Sequence, residues 1–286
     1  MAAAIDFFSV RPLTRHLAAE ISGLDLENDL PETAFRALYR AFLRYQVLLF
    51  PPMDLPPASQ VAFARRFGEV QIHVMNQYHA DGHPELYRLS NLDEQGRPTG
   101  RHPDKGTLAW HTDGSWQRVT GQATIIYGEV MPEHGGETHF CDMYGAYERL
   151  SPDWKARIAN LRAVHNLDFS RTRRHGEDPL TEAQRLARPP VDHPVVRTHP
   201  ETGARSLFVN PQFTSHIVGL SPRESDALLT VLFEHMTVPE FTVRWRWRAG
   251  DVAFWDNRTT MHYATQDYGD AHRIMHRVTL RGDRPR

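Results

Sequence analysis

The sequence predicts a mainly β protein, a sandwich or jelly roll with flanking helices. Three observations carry that reading. Short apolar, β-branched or aromatic segments recur through the second half of the chain, turn residues separate them, and the clear helical patterns lie near the start and late in the sequence.

Taken in order, residues 31–46 place Phe35, Leu38, Tyr39, Phe42 and Leu43 at the i, i+3, i+4, i+7, i+8 spacing that buries one face of a helix. Pro31 suits its first turn, where a missing N–H costs nothing. The apolar run Val47-Leu48-Leu49-Phe50 reads as a buried strand, and residues 59–67 as a second helix stopped by Gly68. Residues 76–106 are polar, carry Gly and Pro and have no periodicity; a loop of that length is expected to be functional. Strands are expected at 123–127, 194–198, 206–209, 241–247, 252–255 and 274–280, with a second irregular, charged stretch at 170–190. Ser221-Pro222-Arg223-Glu224 combines a capping box with Pro at the first helical position, opening a helix anchored by Leu228, Leu229, Leu232, Phe233 and Met236.

Composition narrows the function. Lys plus Arg number 33 against 35 Asp plus Glu, a net charge of −2, so no basic field for nucleic acid is expected. Cys141, the single cysteine, cannot form an intrachain disulfide and reads as an ordinary buried thiol. The start MAAAIDFF lacks the basic region and long apolar stretch of a secretory signal, and the apolar run before Pro51 is far short of the ~20 residues that span a bilayer. A cytoplasmic protein without membrane or nucleic-acid partners is expected, folded as one domain over 1–286, since no repeat or linker divides the chain. Walker loops, Gly-x-Gly-x-x-Gly, Gly-x-Ser-x-Gly and His-Glu-x-x-His are all absent, which removes the commonest nucleotide, hydrolase and zinc-protease readings. Histidine is the outlier, at 17 residues.

Two of those histidines stand in suggestive places. In Trp110-His111-Thr112-Asp113-Gly114-Ser115-Trp116, an extended backbone would turn His111 and Asp113 to one face. They would be two of the three ligands in a two-His, one-carboxylate metal triad. Alone the motif is weak, because His-x-Asp arises by chance. His262 follows the apolar segment around Trp255, and another strand begins eleven residues later at Arg273. Alternation there puts Arg273, Met275, Arg277 and Thr279 on one face and Ile274, His276, Val278 and Leu280 on the other, which reads as core. If the first face lines the interior, both guanidinium forks need anions, from protein carboxylates or bound acids.

Together, Trp110-His111-Thr112-Asp113, Gly135-Gly136-Glu137-Thr138, Trp255-Asp256-Asn257-Arg258 through His262, and Arg273-Ile274-Met275-His276-Arg277 resemble the Fe(II)/2-oxoglutarate-dependent dioxygenases of the taurine dioxygenase and 2,4-D dioxygenase group. Phe67-Gly68-Glu69 ahead of Ile72-His73, the segment Pro194 through Pro200, and Leu207-Phe208-Val209-Asn210 extend the resemblance over nearly the whole chain. It implies a double-stranded β-helix, the jelly roll of that family. It also implies that His111, Asp113 and His262 ligate Fe(II), leaving positions for 2-oxoglutarate and dioxygen, and that Arg273, with Thr138, holds the distal carboxylate of 2-oxoglutarate. Arg277 and His73 match positions that hold the substrate's acidic group. The implied reaction couples decarboxylation of 2-oxoglutarate, to succinate and carbon dioxide, with hydroxylation of a small organic acid. Hydroxylation next to a heteroatom would make the product fragment.

Asn76 and Thr107 align where taurine dioxygenase has a Tyr and an Asn beside its sulfonate pocket, so a bulkier sulfonate, alkyl sulfate or aryloxyalkanoate is expected. Loops 76–106 and 170–190 are expected to close over the iron, and a homo-oligomer is expected. The alternatives are taurine dioxygenase proper, a metal-dependent hydrolase, or a non-catalytic metal-binding barrel on the same fold. Residue by residue, Arg277 could serve an ion pair, His73 a structural role and Trp255 the core. Arg244-Trp245-Arg246-Trp247-Arg248 is better explained by a packed Trp face and a solvated Arg face than by a single-strand nucleic-acid platform.

Overall fold

A computed structural model describes residues 3–5, 7–72, 79–93, 95–99 and 105–286. The amphipathic segment after Pro31 forms helix α1 (Glu32–Tyr45), and the next helical segment forms α2 (Pro57–Arg65), which starts before the expected Ser59 because Pro57 takes its first position. The strands begin as β1 (Ala3–Ile5), β2 (Phe8–Pro12), β3 (Ala19–Ser22), β4 (Val47–Phe50), β5 (Val70–Gln71), β6 (His79–Ala80), β7 (His83–Ser90), β8 (Gly121–Val130) and β9 (Thr138–Asp142). They continue as β10 (Arg162–His165), β11 (Val191–Pro194), β12 (Val196–Thr198), β13 (Arg205–Leu207), β14 (Thr214–Ile217), β15 (Thr242–Trp245), β16 (Val252–Asp256), β17 (Thr260–Ala264) and β18 (Ile274–Arg281).

A ten-stranded major sheet runs β1-β2-β3-β4-β16-β8-β18-β7-β6, with β5 also paired to β18. A three-stranded sheet, β15-β9-β17, faces it. Strand alternation divides the apolar residues between two layers. Leu48 and Phe50, Ala123 and Ile125, Val252 and Phe254, and Val278 and Leu280 pack outward against α1 and α2, where the Phe42 and Phe254 rings stack 4.1 Å apart. Val47, Leu49, Ile126, Ala253, Trp255 and Met275, of opposite parity, meet Phe140 and Trp245 between the two sheets. Met275 thus marks the inner face of β18, the face Arg277 shares and Arg273 precedes. This is the expected jelly roll with helices on its outside.

Several segments depart from expectation. Residues 83–90 are not irregular: β7 pairs with β18 from Ile274↔Ser90 to Arg277↔Tyr87. Its signal is weak in sequence because Leu86 packs outward and Tyr87 and Leu89 inward, so no simple alternation appears between Pro84 and Arg88. Within 170–190, Ser170–Arg174 makes a helical turn and Glu182–Ala187 a short helix, opened by a capping box between Thr181 and Gln184. The expected strand at 194–198 divides into β11 and β12, and Phe241 belongs to a tight turn before β15. In the last strand, Ile274, Val278 and Leu280 are buried, but His276 leaves the core to pair with Glu129 at 3.2 Å. Trp245 and Trp247 are buried while Arg244, Arg246 and Arg248 are exposed. Cys141 is a buried free thiol. Among the described residues, no helix is long and apolar enough to cross a membrane.

One buried pair sets an expected pH dependence. The rings of His165 on β10 and His193 on β11 lie 5.2 Å apart. Burial lowers His165 to about 3 and His193 to about 4. Unfolded histidines take up a proton near pH ~6.5, so between that value and the folded ones the unfolded chain binds more protons, and stability falls as pH falls. The slope is roughly 1.4 kcal/mol per pH unit for each histidine. Melting temperature is expected to drop steadily from pH 6.5 towards 4.5 and His165→Leu to flatten that drop; an unchanged profile in the variant would exclude this pair as the cause.

Candidate metal and cosubstrate site

His111 does not lie in a regular strand, which corrects the extended reading of 110–113. It forms an isolated antiparallel bridge with His262 of β17, His111 N–H donating to His262 O at 3.0 Å and His262 N–H to His111 O at 2.9 Å. The chain then turns through Asp113 and Gly114. Gly114 has φ +68°, and a Cβ there would stand 3.1 Å from Gly121 N, so the turn requires glycine. Although no regular strand holds them, His111 and Asp113 present their side chains to one another, as their spacing of two residues predicts.

His111 Nε2 lies 3.5 Å and His262 Nε2 4.0 Å from Asp113 Oδ1, and one ligand atom from each residue falls within 4.8 Å of the others. His111 Nδ1 donates to Ala109 O at 2.8 Å, which leaves the Nε2 lone pair free. His262 is aimed by packing instead. Its ring sits 4.6 Å from that of Trp255 and 4.2 Å from that of His111, and its buried Nδ1 has no hydrogen-bond partner among the described residues. Burial, with His111 beside it, holds His262 far below its ordinary value, so it is neutral. Burial pushes the Asp113 carboxyl up, but the facing His262, His111 and Arg277 outweigh this and keep it well below the usual carboxylate range. Two imidazole nitrogens with free lone pairs and one ionised carboxylate, all buried, fit a divalent metal that binds by open-position nitrogen and oxygen ligation.

Next to this cluster lie the two arginines. Arg273 N–H donates to Asn91 Oδ1 at 2.9 Å, and its guanidinium is buried beside the Tyr268 ring, with a long 3.5 Å contact to Gly136 O. Burial lowers it to about 10, which leaves it charged at neutral pH. Gly136 has φ +66°, and a Cβ there would stand 3.2 Å from Arg273 Nε, so the Gly135-Gly136 turn gives the guanidinium its room. The buried Thr138 Oγ1 accepts from Trp247 Nε1 at 2.9 Å and keeps its own proton to donate. Arg277 lies over the Tyr87 ring at 4.8 Å, with Nη1 4.0 Å from Asp113 Oδ1. Thr107 is buried in the tight turn Lys105–Leu108, whereas His73 and Asn76 lie outside the described residues. Sequence reading missed Thr124, whose hydroxyl donates to Asp113 Oδ2 at 2.7 Å. Its signal is a lone polar residue of inward parity in the apolar Ala123-Thr124-Ile125-Ile126.

A jelly roll with this donor set on its inner side defines a non-haem metalloenzyme with a two-His, one-carboxylate centre. The match to known proteins narrows the class. Residues 9–279 match the taurine catabolism dioxygenase TauD, TfdA family. An alkylsulfatase of Acinetobacter baylyi is 35% identical over 283 residues, 96% of this chain and 85% of that protein. An alpha-ketoglutarate-dependent 2,4-dichlorophenoxyacetate dioxygenase of Cupriavidus pinatubonensis is 36% identical over 280 residues, 95% of this chain and 97% of that one. Among solved structures, AAD-2 in complex with Mn(II) and N-oxalylglycine superposes with a TM-score of 0.86 at 32% identity, covering 97% of this chain and 98% of that one. The chain belongs to the TauD, TfdA family and is a 2-oxoglutarate-dependent non-haem iron dioxygenase, with Fe(II), 2-oxoglutarate and dioxygen as its metal and cosubstrates.

Proposed function

We propose that this dioxygenase hydroxylates a small anionic organic substrate, a sulfonate, alkyl sulfate or aryloxyalkanoate larger than taurine, next to a heteroatom so that the product fragments. The residues 1–286 act as one catalytic domain, since β1 and β18, from the two ends of the chain, belong to one sheet. The observation that carries the substrate reading is the pair Arg273 and Arg277, four residues apart at one end of β18, with Arg277 4.0 Å from Asp113.

In this reading His111, Asp113 and His262 hold the iron. Bound iron and 2-oxoglutarate supply the oxidising power, releasing succinate and carbon dioxide. Arg273 takes the distal carboxylate of 2-oxoglutarate through its planar fork, and Thr138 donates its remaining proton to the same group. N-oxalylglycine, bound by the AAD-2 relative, has the same two acidic ends as 2-oxoglutarate, which supports a dicarboxylate clamp here. Arg277, kept in place by the Tyr87 ring, meets the acidic group of the substrate, with His73 assisting and Asn76 and Thr107 lining the pocket. The substrates named for the relatives, sulfate esters and phenoxyalkanoates among them, are anions of this kind. An anchored anion holds its reacting carbon in place beside the metal, the positional requirement of hydrogen abstraction.

The test is a panel of taurine, longer sulfonates, alkyl sulfates and phenoxyalkanoates, scored by succinate release with Fe(II) and ascorbate. A larger anion is expected to be preferred, its neutral ester to be inactive, and Arg277→Ala to raise the KM for the substrate at least tenfold while sparing that for 2-oxoglutarate. Taurine as best substrate would refute the size argument, and a neutral best substrate the anion clamp.

A further inference from the structure

Behind the carboxylate, three side chains form a hydrogen-bonded line that the ligand set does not account for. Trp255 Nε1 donates to Asn257 Oδ1 at 2.9 Å, Asn257 Nδ2 donates to Thr124 Oγ1 at 2.8 Å, and Thr124 Oγ1 donates to Asp113 Oδ2 at 2.7 Å. Trp255, Asn257 and Thr124 are each 0% exposed.

The direction of this line follows from the groups themselves. An indole N–H can only donate, so Asn257 must present its carbonyl to Trp255 and its amide hydrogens to Thr124. The hydroxyl accepts there, and its single proton goes to the one neighbour that only accepts, the ionised carboxylate of Asp113. Backbone geometry supports the alignment: Asn257 N–H donates to Gln122 O at 2.9 Å, and β8 pairs with β16 from Tyr127↔Val252 to Ala123↔Asp256, with Thr124 opposite Trp255. The outcome is an asymmetric carboxylate. Oδ2 is committed to a donor, whereas Oδ1 faces His111 Nε2 at 3.5 Å, His262 Nε2 at 4.0 Å and Arg277 Nη1 at 4.0 Å.

We propose that Thr124, oriented by Asn257 and Trp255, is a positioning residue that restricts Asp113 to ligation through Oδ1 alone. The proposal rests on His111, Asp113 and His262 being the metal ligands. A second carboxylate oxygen on the metal would occupy a position needed by 2-oxoglutarate or dioxygen, and a carboxylate free to rotate would lose affinity for want of preorganisation. Thr124 opposes both without touching metal or substrate.

Mn(II) binding, measured without oxygen by the electron paramagnetic resonance of the free ion, tests this apart from turnover. Thr124→Val keeps shape and removes the hydroxyl, and is expected to weaken Mn(II) about 10- to 100-fold. Thr124→Ser, which restores the donor, is expected to stay within about threefold of wild type. Thr124→Ala carries the same expectation as Thr124→Val, should the valine variant fail to fold. Wild-type affinity in a folded variant lacking the hydroxyl, or an equal loss in Thr124→Ser, overturns the proposal. Asp113→Ala identifies the other failure: if it binds Mn(II) as the wild type does, the metal-ligand reading itself is wrong.

Discussion

Replacing His111, Asp113 or His262 by Ala is expected to lower turnover by more than about 10³-fold, or about 4 kcal/mol of barrier, while the variant still unfolds cooperatively. Three protein ligands are few for a metal that must also hold a cosubstrate, so losing one removes both affinity and geometry. The fold should survive, because the bridge between His111 and His262 is made by main-chain groups, at 3.0 and 2.9 Å, that an alanine retains. Asp113→Ala additionally strips Arg277 of the carboxylate 4.0 Å away, so its substrate affinity should change as well. Succinate release with excess Fe(II), read beside thermal unfolding, decides the matter. Wild-type-like turnover in any of the three would remove that residue from the centre.

Arg273→Ala is expected to raise the KM for 2-oxoglutarate by tens- to thousands-fold, about 2 to 5 kcal/mol, and that for the substrate far less. A fork buried at this depth remains charged at neutral pH, its value lowered only to about 10, and an anion entering beside it loses little to solvent competition. Arg273→Lys keeps the charge but not the two parallel donors, so it should fall between wild type and alanine. Steady-state kinetics with each substrate varied in turn is the measurement. An unchanged constant for 2-oxoglutarate would place the clamp elsewhere.

Much of the fold and of the site is legible in the sequence, for identifiable reasons. The helix after Pro31 and the one opened by Ser221 declare themselves because apolar spacing and capping chemistry are local. The alternation that turns Met275 and Arg277 inward is equally local, and the interior confirms it. What stayed hidden depends on partners distant in sequence. β7 buries residues on both faces and exists through its pairing with β18, nearly two hundred residues later. The pairing of His111 with Asp113 follows from their spacing, whereas the isolated bridge that joins His111 to His262 depends on a partner 151 residues later. Thr124 reads as an unremarked strand threonine until the chain lays it against Asp113.

The bridge between His111 and His262 has a thermodynamic corollary. Residues 151 positions apart in the chain, 262 less 111, are closed into one small ring of main-chain hydrogen bonds before any ion arrives. The entropy of gathering two of the ligands is therefore met by folding, and the ion gains a chelate effect from a site already assembled. Such a protein should persist as a folded apo form and exchange its metal as a simple binding equilibrium, unlike small zinc domains in which loading and folding are one event. Chelators should then remove activity reversibly while leaving far-ultraviolet circular dichroism unchanged.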